Sequence, residues 1–308
     1  MTPRQLLQAR YRAATEEASL RGGVISRADL RAFGISADHV RHQVESRRWR
    51  CHGRQTVATH TGSLSEEARR WSAVWEVGAR IAVLDGVSAL HAAGLTGYRD
   101  AAIHVSVTHT ASVRPVEGVV IHKVGRQLTA HIRSAGLPRT TPAIAAVRAA
   151  HWAVSDRQAA LILAMTIQQR LVSAADLQAA VDLARGRTRR AFIRRIVADV
   201  SDGAQALGEL DVASMCRSRR LPPPERQVVM RGPRGRIYLD ARWREQRLVL
   251  EVDGSGHTQG LAVMLDHLRA NEVVIAGDRV LRIDLMGLRL APDLFLDQLE
   301  RALRSGSR

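Results

Sequence analysis

Apolar positions recur at helical spacing through the first 60 residues and are divided by polar breaks. Pro3–Leu20 is predicted as a helix, broken at Gly22-Gly23. Ser26-Arg27-Ala28-Asp29-Leu30 reads as a helix start, with Ser26 as N-cap and Asp29 at the capping-box position. Gly34-Ile35 closes that helix, and Ser36 caps the next, Ala37–Ser46. Two short helices around a glycine-containing turn form the helix-turn-helix pattern. Alternation over Trp49–Ala58 predicts a wing strand behind them.

From residue 61 to 184 the pattern is mixed α/β. Leu64–Glu76 is amphipathic and helical, and Ile81–Leu84 is a short buried strand. Asp85–Ala93 suits a helix that stops at Gly94. Ile103–Thr108 and Gly118–Lys123 alternate as strands. Thr140-Thr141-Pro142 opens a helical region that runs to about Leu183, with a break near Ser155-Asp156. His104, His109, His122 and His131 fit no zinc spacing and read as solvent-facing or satisfied strand positions. Residues 185–207 read as a basic linker helix. Within it Arg185, Arg187, Arg189, Arg190, Arg194 and Arg195 either contact phosphate or form a solvated face.

The last 100 residues read as helix, strand, strand, strand, helix, strand, helix. Glu209–Arg219 is a helix stopped by Leu221-Pro222-Pro223-Pro224. Gln227–Met230 and Ile237–Trp243 are strands, and Leu248–Asp253 begins with three apolar residues in a row. A strand apolar on both faces belongs inside a sheet covered by helices. Leu261–Asn271 is a helix, Gly277-Asp278 a turn, Val280–Ile283 a strand, and Ala291–Leu303 a closing helix.

The chemistry concentrates in IYLDARWREQRLVLEVDGSGH, residues 237–257. A turn centred on Glu245-Gln246 sets Asp240 across from Glu251, with Asp253 diagonal to it. Opposed Cβ atoms lie about 5 Å apart, and like charges that close destabilise a hairpin unless neutralised. A hard divalent cation, Mg²⁺ or Mn²⁺, is one remedy. Arg242 as an ion-pair partner is the other.

Charge extends the picture. The net charge is +16, and arginine supplies almost all of it, Lys123 being the single lysine. A high-GC coding bias accounts for arginine over lysine but not for the net charge. Arginine pairs bidentately with phosphate and guanine, so the excess points to DNA. Residues 1–55 hold eleven Arg against five acids, a local net of +6. Arg27, Arg41, Arg47, Arg48, Arg50 and Arg54, with Arg189 and Arg190 further on, are the candidate DNA-binding residues. A solvated helix face or a protein-binding module accounts for the same pattern. Cys51 and Cys216 form neither a zinc spacing nor a disulfide framework. The N-terminus lacks an apolar signal region, and no apolar run reaches membrane-spanning length. A cytoplasmic protein with no membrane partner is expected.

Asp240, Glu251-Val252-Asp253-Gly254, His257, Asp266 and Arg269, and Gly277–Arg282 resemble the restriction-endonuclease-like, PD-(D/E)xK, fold. The nearest branch is related to very short patch repair (Vsr) endonucleases. Glu209 before Leu221-Pro222 matches that branch's first helix. The resemblance covers about 100 residues. It implies metal ligation by Asp240, Glu251 and Asp253, with Glu209 in support. Position 253 is Asp where the wider superfamily often has Lys, so the role of general base or proton donor passes to His257. His267 and Ala270 also depart from that family's helix.

Gly23–Arg54, Leu84–Gly94, Ile103–Val105, Val119–His122 and Pro138–Pro142 resemble the AbiEi-type antitoxin module of type IV toxin–antitoxin systems. The expected organisation is a winged helix-turn-helix over 1–60, an antitoxin-like α/β domain over 61–184, the linker, and the nuclease-like domain over 208–308. The expected function is DNA binding with Mg-dependent hydrolysis of DNA phosphodiesters. The alternative is an antitoxin-like transcriptional regulator whose nuclease domain is inactive. The candidate partners are DNA, a second copy of the chain, and a toxin.

Overall fold

Side-chain caps set the helix starts in the first half of the chain. In the computed structural model, Thr2 accepts from the Gln5 N–H and caps α1 (Pro3–Ser19). Ser26 accepts from Asp29 N at 3.0 Å and caps α2 (Arg27–Ala32). Ser36 accepts from His39 N at 3.2 Å and caps α3 (Ala37–Glu45). The structure describes residues 2–125, 131–133, 135–184, 186, 188–202, 212–232, 235–253, 268, 270–284 and 292–306. At 199–202, 226–227, 231–232, 235–238, 240, 252–253 and 284 it describes the backbone alone.

The architecture is mixed α/β, with three sheets among the described residues. The chain divides into two compact units, 1–149 and 150–308. In the first unit β1 (Val24–Ser26), β2 (Arg50–Cys51) and β3 (Thr56–Ala58) form an antiparallel sheet in the order β1-β3-β2. The expected wing strand is therefore a hairpin, β2 and β3 joined through residues 52–55. The sheet's partner β1 is a three-residue run too short for periodicity to detect. Ala14, Ile25, Leu30, Ile35, Val40, Trp49 and Val57 close a core between α1, α2, α3 and the sheet. Val24, Ala58, Ala68 and Trp75 close a second one under α4 (Glu66–Gly78).

The rest of that unit is a five-stranded sheet, ordered β6-β5-β4-β8-β7. Its strands are β4 (Val83–Leu84), β5 (Ile103–Thr108), β6 (Val119–Val124), β7 (Ile132–Arg133) and β8 (Arg139–Thr140). α5 (Gly86–Ala92) and α6 (Pro142–Trp152) follow β4 and β8, and the division between the units falls within α6.

In the second unit α7 (Asp156–Gln168) and α8 (Ala174–Leu183) start at Ser155 and Ser173 caps. α9 (Arg190–Asp202) is the segment expected as a basic linker. It buries Ile193, Ile196 and Val197 and packs on α7 and α8, so its apolar stripe is spent on the bundle. α10 (Val212–Ser218) precedes the four-stranded sheet of β9 (Glu225–Gly232), β10 (Gly235–Trp243), β11 (Leu248–Asp253) and β12 (Arg279–Asp284). The order is β12-β11-β10-β9, antiparallel except for the parallel pair β11–β12.

Both faces of this sheet are covered, as the unbroken Leu248-Val249-Leu250 run predicts. Trp243, Leu248, Leu250 and Ile283 pack with α10 and with α11 (Pro292–Ser305). Leu239, Val249 and Val273 pack on the opposite side. No helix of the described residues is long and apolar enough to cross a membrane.

Candidate nucleic-acid interface and carboxylate hairpin

α3 ends in a Schellman motif whose left-handed residue is an arginine. Arg47 N donates to Val44 O at 2.9 Å and Arg48 N to Gln43 O at 3.0 Å, with Arg47 at φ 53°. The turn throws Arg47 and Arg48 outward, and Arg41, Arg50 and Arg54 are exposed as well. Arg41 pairs with Asp38 one turn back, an exposed i,i+3 contact that holds it weakly. Arg27 differs from the rest. It is half-buried and donates to Cys51 Sγ at 3.2 Å, which ties α2 to β2. Five of the six arginines expected in the N-terminal interface are therefore exposed, while Arg27 serves the scaffold.

In the second unit Arg189 is at φ 60° just before α9 and bonds Asp156 at 2.7 Å. Arg190 is exposed, and Arg194 pairs with Asp182 at 3.0 Å. That basic cluster is thus partly consumed by the neighbouring helices.

The β2–β3 turn is held from outside by a residue that no sequence signal marked. Glu76, on α4, takes three successive backbone N–H groups: Arg54 at 2.9 Å, Gln55 at 2.7 Å and Thr56 at 2.9 Å. The Thr56 hydroxyl adds a fourth bond at 2.8 Å. A cavity of about 430 Å³ adjoins the turn, lined in part by His52, Gly53, Arg69, Ser72, Glu76 and Glu117. Burial, then Arg50 and His60, push the His52 imidazole below its ordinary range.

Three of the motifs singled out in the middle of the chain converge on Asp85. It is fully buried, and it accepts from Gly86 N at 2.8 Å, Ser106 Oγ at 2.6 Å and Thr140 Oγ1 at 2.7 Å. Arg148 Nη1 closes the set at 2.6 Å. Beside it, on neighbouring strands, His104 and His122 are half-buried and bonded to each other. Of the two readings that alternation left open, solvent-facing or satisfied, these two histidines take the satisfied one. Burial, then His104, lower the His122 pKa to about 4, with Arg148 also lowering it against the pull of Asp85.

The carboxylate hairpin has the expected register. Trp243 pairs with Leu248, Arg242 with Val249 and Ala241 with Leu250, around a four-residue turn at 244–247. Asp240 and Glu251 are the next residues outward on the two strands. Glu251 is half-buried, with Arg282 as its Cα partner on β12, and Asp253 stands beside Asp284. Arg242 pairs with Asp278 at 2.6 Å, with both side chains largely buried. The Asp240 and Asp253 side chains, together with Glu209, His257, Asp266, His267 and Arg269, lie outside the described residues. Among the described residues no group of three His, Cys, Asp or Glu is placed to hold a metal ion. What the hairpin offers a cation is its donor chemistry: hard carboxylate oxygens on adjacent strands of a covered sheet, which suit Mg²⁺ or Mn²⁺. The chain matches no protein-family model and no curated protein.

Proposed function

We propose that the chain is a DNA-binding protein whose second unit carries a metal-dependent endonuclease site. The observation that carries this is the β10–β11 register, which sets Asp240 and Glu251 next after the Ala241–Leu250 pair. The sheet around them supports a restriction-endonuclease-like, PD-(D/E)xK, reading. Three antiparallel strands are followed by a fourth that runs parallel to the acid-bearing β11. The order helix, strand, two helices and hairpin over residues 3–58 likewise supports a winged helix-turn-helix reading, with α3 as the recognition helix.

In this reading Asp240 and Glu251 supply the carboxylate oxygens, and Asp253 and Glu209 support them. His257 holds or moves the proton of the attacking water. Bound Mg²⁺ supplies Lewis acidity toward the phosphate and lowers the pKa of a water. Arg47, Arg48, Arg50 and Arg54 take phosphates and thus supply affinity, and α3 supplies whatever base preference exists.

The deciding experiment is incubation of plasmid with the protein and Mg²⁺ or Mn²⁺, alongside Asp240→Ala and Glu251→Ala. Nicking by the wild type and loss in both variants is the expected result. Equal inertness of all three, with DNA binding retained, leaves the second reading: an antitoxin-like regulator whose nuclease domain is inactive. Asp253, standing where a lysine would activate water, favours that reading. A toxin partner would then co-purify. A cut through both strands would call for a second copy of the chain.

A further inference from the structure

We infer that Glu76 is the positioning residue of the β2–β3 turn, fixing Arg50 and Arg54 in the pose that meets a DNA backbone. This rests on the DNA-binding reading above. The hairpin cannot hold that pose alone, because β2 is two residues long and β3 three. Arg27 ties the hairpin to α2 through Gln55 O at 2.8 Å and Cys51 Sγ at 3.2 Å, and the turn's own N–H groups are gathered by one carboxylate. Oε2 accepts from Arg54 N, and Oε1 from Gln55 N, Thr56 N and Thr56 Oγ1. Successive N–H groups converging on an anion form a nest. Ser72, one turn earlier on α4, reaches Thr56 Oγ1 at 3.0 Å and adds a second tie to the same strand.

Gly53 makes the approach possible. Its φ is +125°, and a Cβ there would lie 2.6 Å from Glu76 Cδ. The residue type and the carboxylate are therefore fitted to each other across 23 positions of sequence.

An acid beside a phosphate-binding turn has two opposed effects, which makes the sign of its removal decisive. As a bare charge Glu76 repels DNA, so its loss would tighten binding. As a clamp it holds the arginines in place, so its loss weakens binding. The geometry points to the clamp, because three N–H groups and a hydroxyl absorb the charge.

The test uses the full chain, a short DNA duplex, and the variants Glu76→Ala, Glu76→Gln, Arg54→Ala and Glu76→Ala with Arg54→Ala. Amide exchange at Arg54, Gln55 and Thr56 is read without DNA, and duplex affinity is read across a NaCl series. In Glu76→Ala those amides exchange about tenfold faster or more, the worth of one charged hydrogen bond. Affinity falls, and the slope against log salt drops by about one for each phosphate that an arginine no longer neutralises. Adding Arg54→Ala then costs little more, since that side chain is already out of reach of its phosphate. Glu76→Gln keeps an oxygen for Gln55 and Thr56 but sets an amide donor against Arg54 N, so it is intermediate; it also serves if the alanine variant does not fold. A general loss of folding lowers the active fraction but leaves the salt slope unchanged. Unaltered exchange at the three amides, or unaltered or tighter duplex binding by both Glu76 variants, overturns the proposal. A wild type that binds no duplex at low salt overturns the DNA reading beneath it, and the exchange data alone then decide whether Glu76 clamps the turn.

Discussion

His104 Nδ1 lies 2.8 Å from His122 Nε2, with the rings 10° from parallel, and Asp100 Oδ2 is 3.2 Å from the other nitrogen of His104. One of the two imidazoles must donate and the other accept, so a proton on each nitrogen of the pair is excluded. Burial first, and then His104, hold the His122 pKa at about 4 when folded, against 6.5 when exposed. Between those values the unfolded chain binds a proton that the folded chain refuses. Stability is full above pH 6.5 and declines as the pH falls toward 4. The loss is about 2 kcal/mol after allowance for solvent screening. Urea unfolding from pH 7 to pH 4 checks it: His122→Asn flattens this part of the profile, and an unchanged profile removes His122 as its source.

Asp85 and Arg148 make a buried pair tied into three further hydrogen bonds. Asp85→Ala leaves a buried guanidinium unpaired and frees the start of α5, so a loss of about 3–5 kcal/mol is expected. Arg148→Met costs a similar amount by stranding the carboxylate. The double variant is less destabilised than the sum of the two, because neither charge is then left alone. Additive losses in denaturant titrations would mean that the two residues act separately.

Much of this fold is legible where local chemistry is decisive. Ser26, Ser36, Ser155 and Gly34 mark helix ends by their own bonding, and the turn at 244–247 follows from the spacing of the two strands it joins. The Leu248-Val249-Leu250 run announces a strand covered on both faces. What sequence does not yield is pairing between distant segments. Alternation orients His104 and His122 on their strands. Their meeting, however, depends on the parallel β5–β6 register, a pairing between separate segments. Glu76 looks like one more acid on an amphipathic helix, and only the fold brings a turn about 20 residues earlier onto it. Arg242 is a fair candidate partner for the hairpin acids by proximity in sequence, yet it pairs with Asp278, brought in from the turn before β12. In α9 the arginines dominate the sequence pattern, while the Ile193, Ile196 and Val197 stripe decides its packing.

Arg47 links stability to binding with opposite signs. An L-residue other than Gly or Asn pays about 1 kcal/mol for the left-handed conformation at a helix end. Arg47→Gly should therefore raise stability by about 0.5–1 kcal/mol and at the same time weaken duplex binding, with the salt slope reduced by about one. Melting and duplex titration of the same sample check both halves. A stabilised variant that binds as tightly as the wild type would take Arg47 out of the interface.

The carboxylate hairpin predicts a sign change with metal. On the proposed metal-site reading, Asp240 and Glu251 repel each other when no divalent cation is bound, so Asp240→Asn should raise stability slightly, by about 0.2–1 kcal/mol. With Mg²⁺ present the order reverses. The wild type gains RT ln(1 + [Mg²⁺]/Kd), about 2.7 kcal/mol at about one hundred times Kd, and the variant gains far less because it has lost an anionic ligand. Thermal melts of wild type, Asp240→Asn and Glu251→Gln, each with EDTA and with millimolar Mg²⁺ or Mn²⁺, separate the two regimes. A wild type that melts at the same temperature with and without metal would mean that the acids are neutralised by the protein itself. Arg282, the Cα partner of Glu251, would then be the first residue to replace.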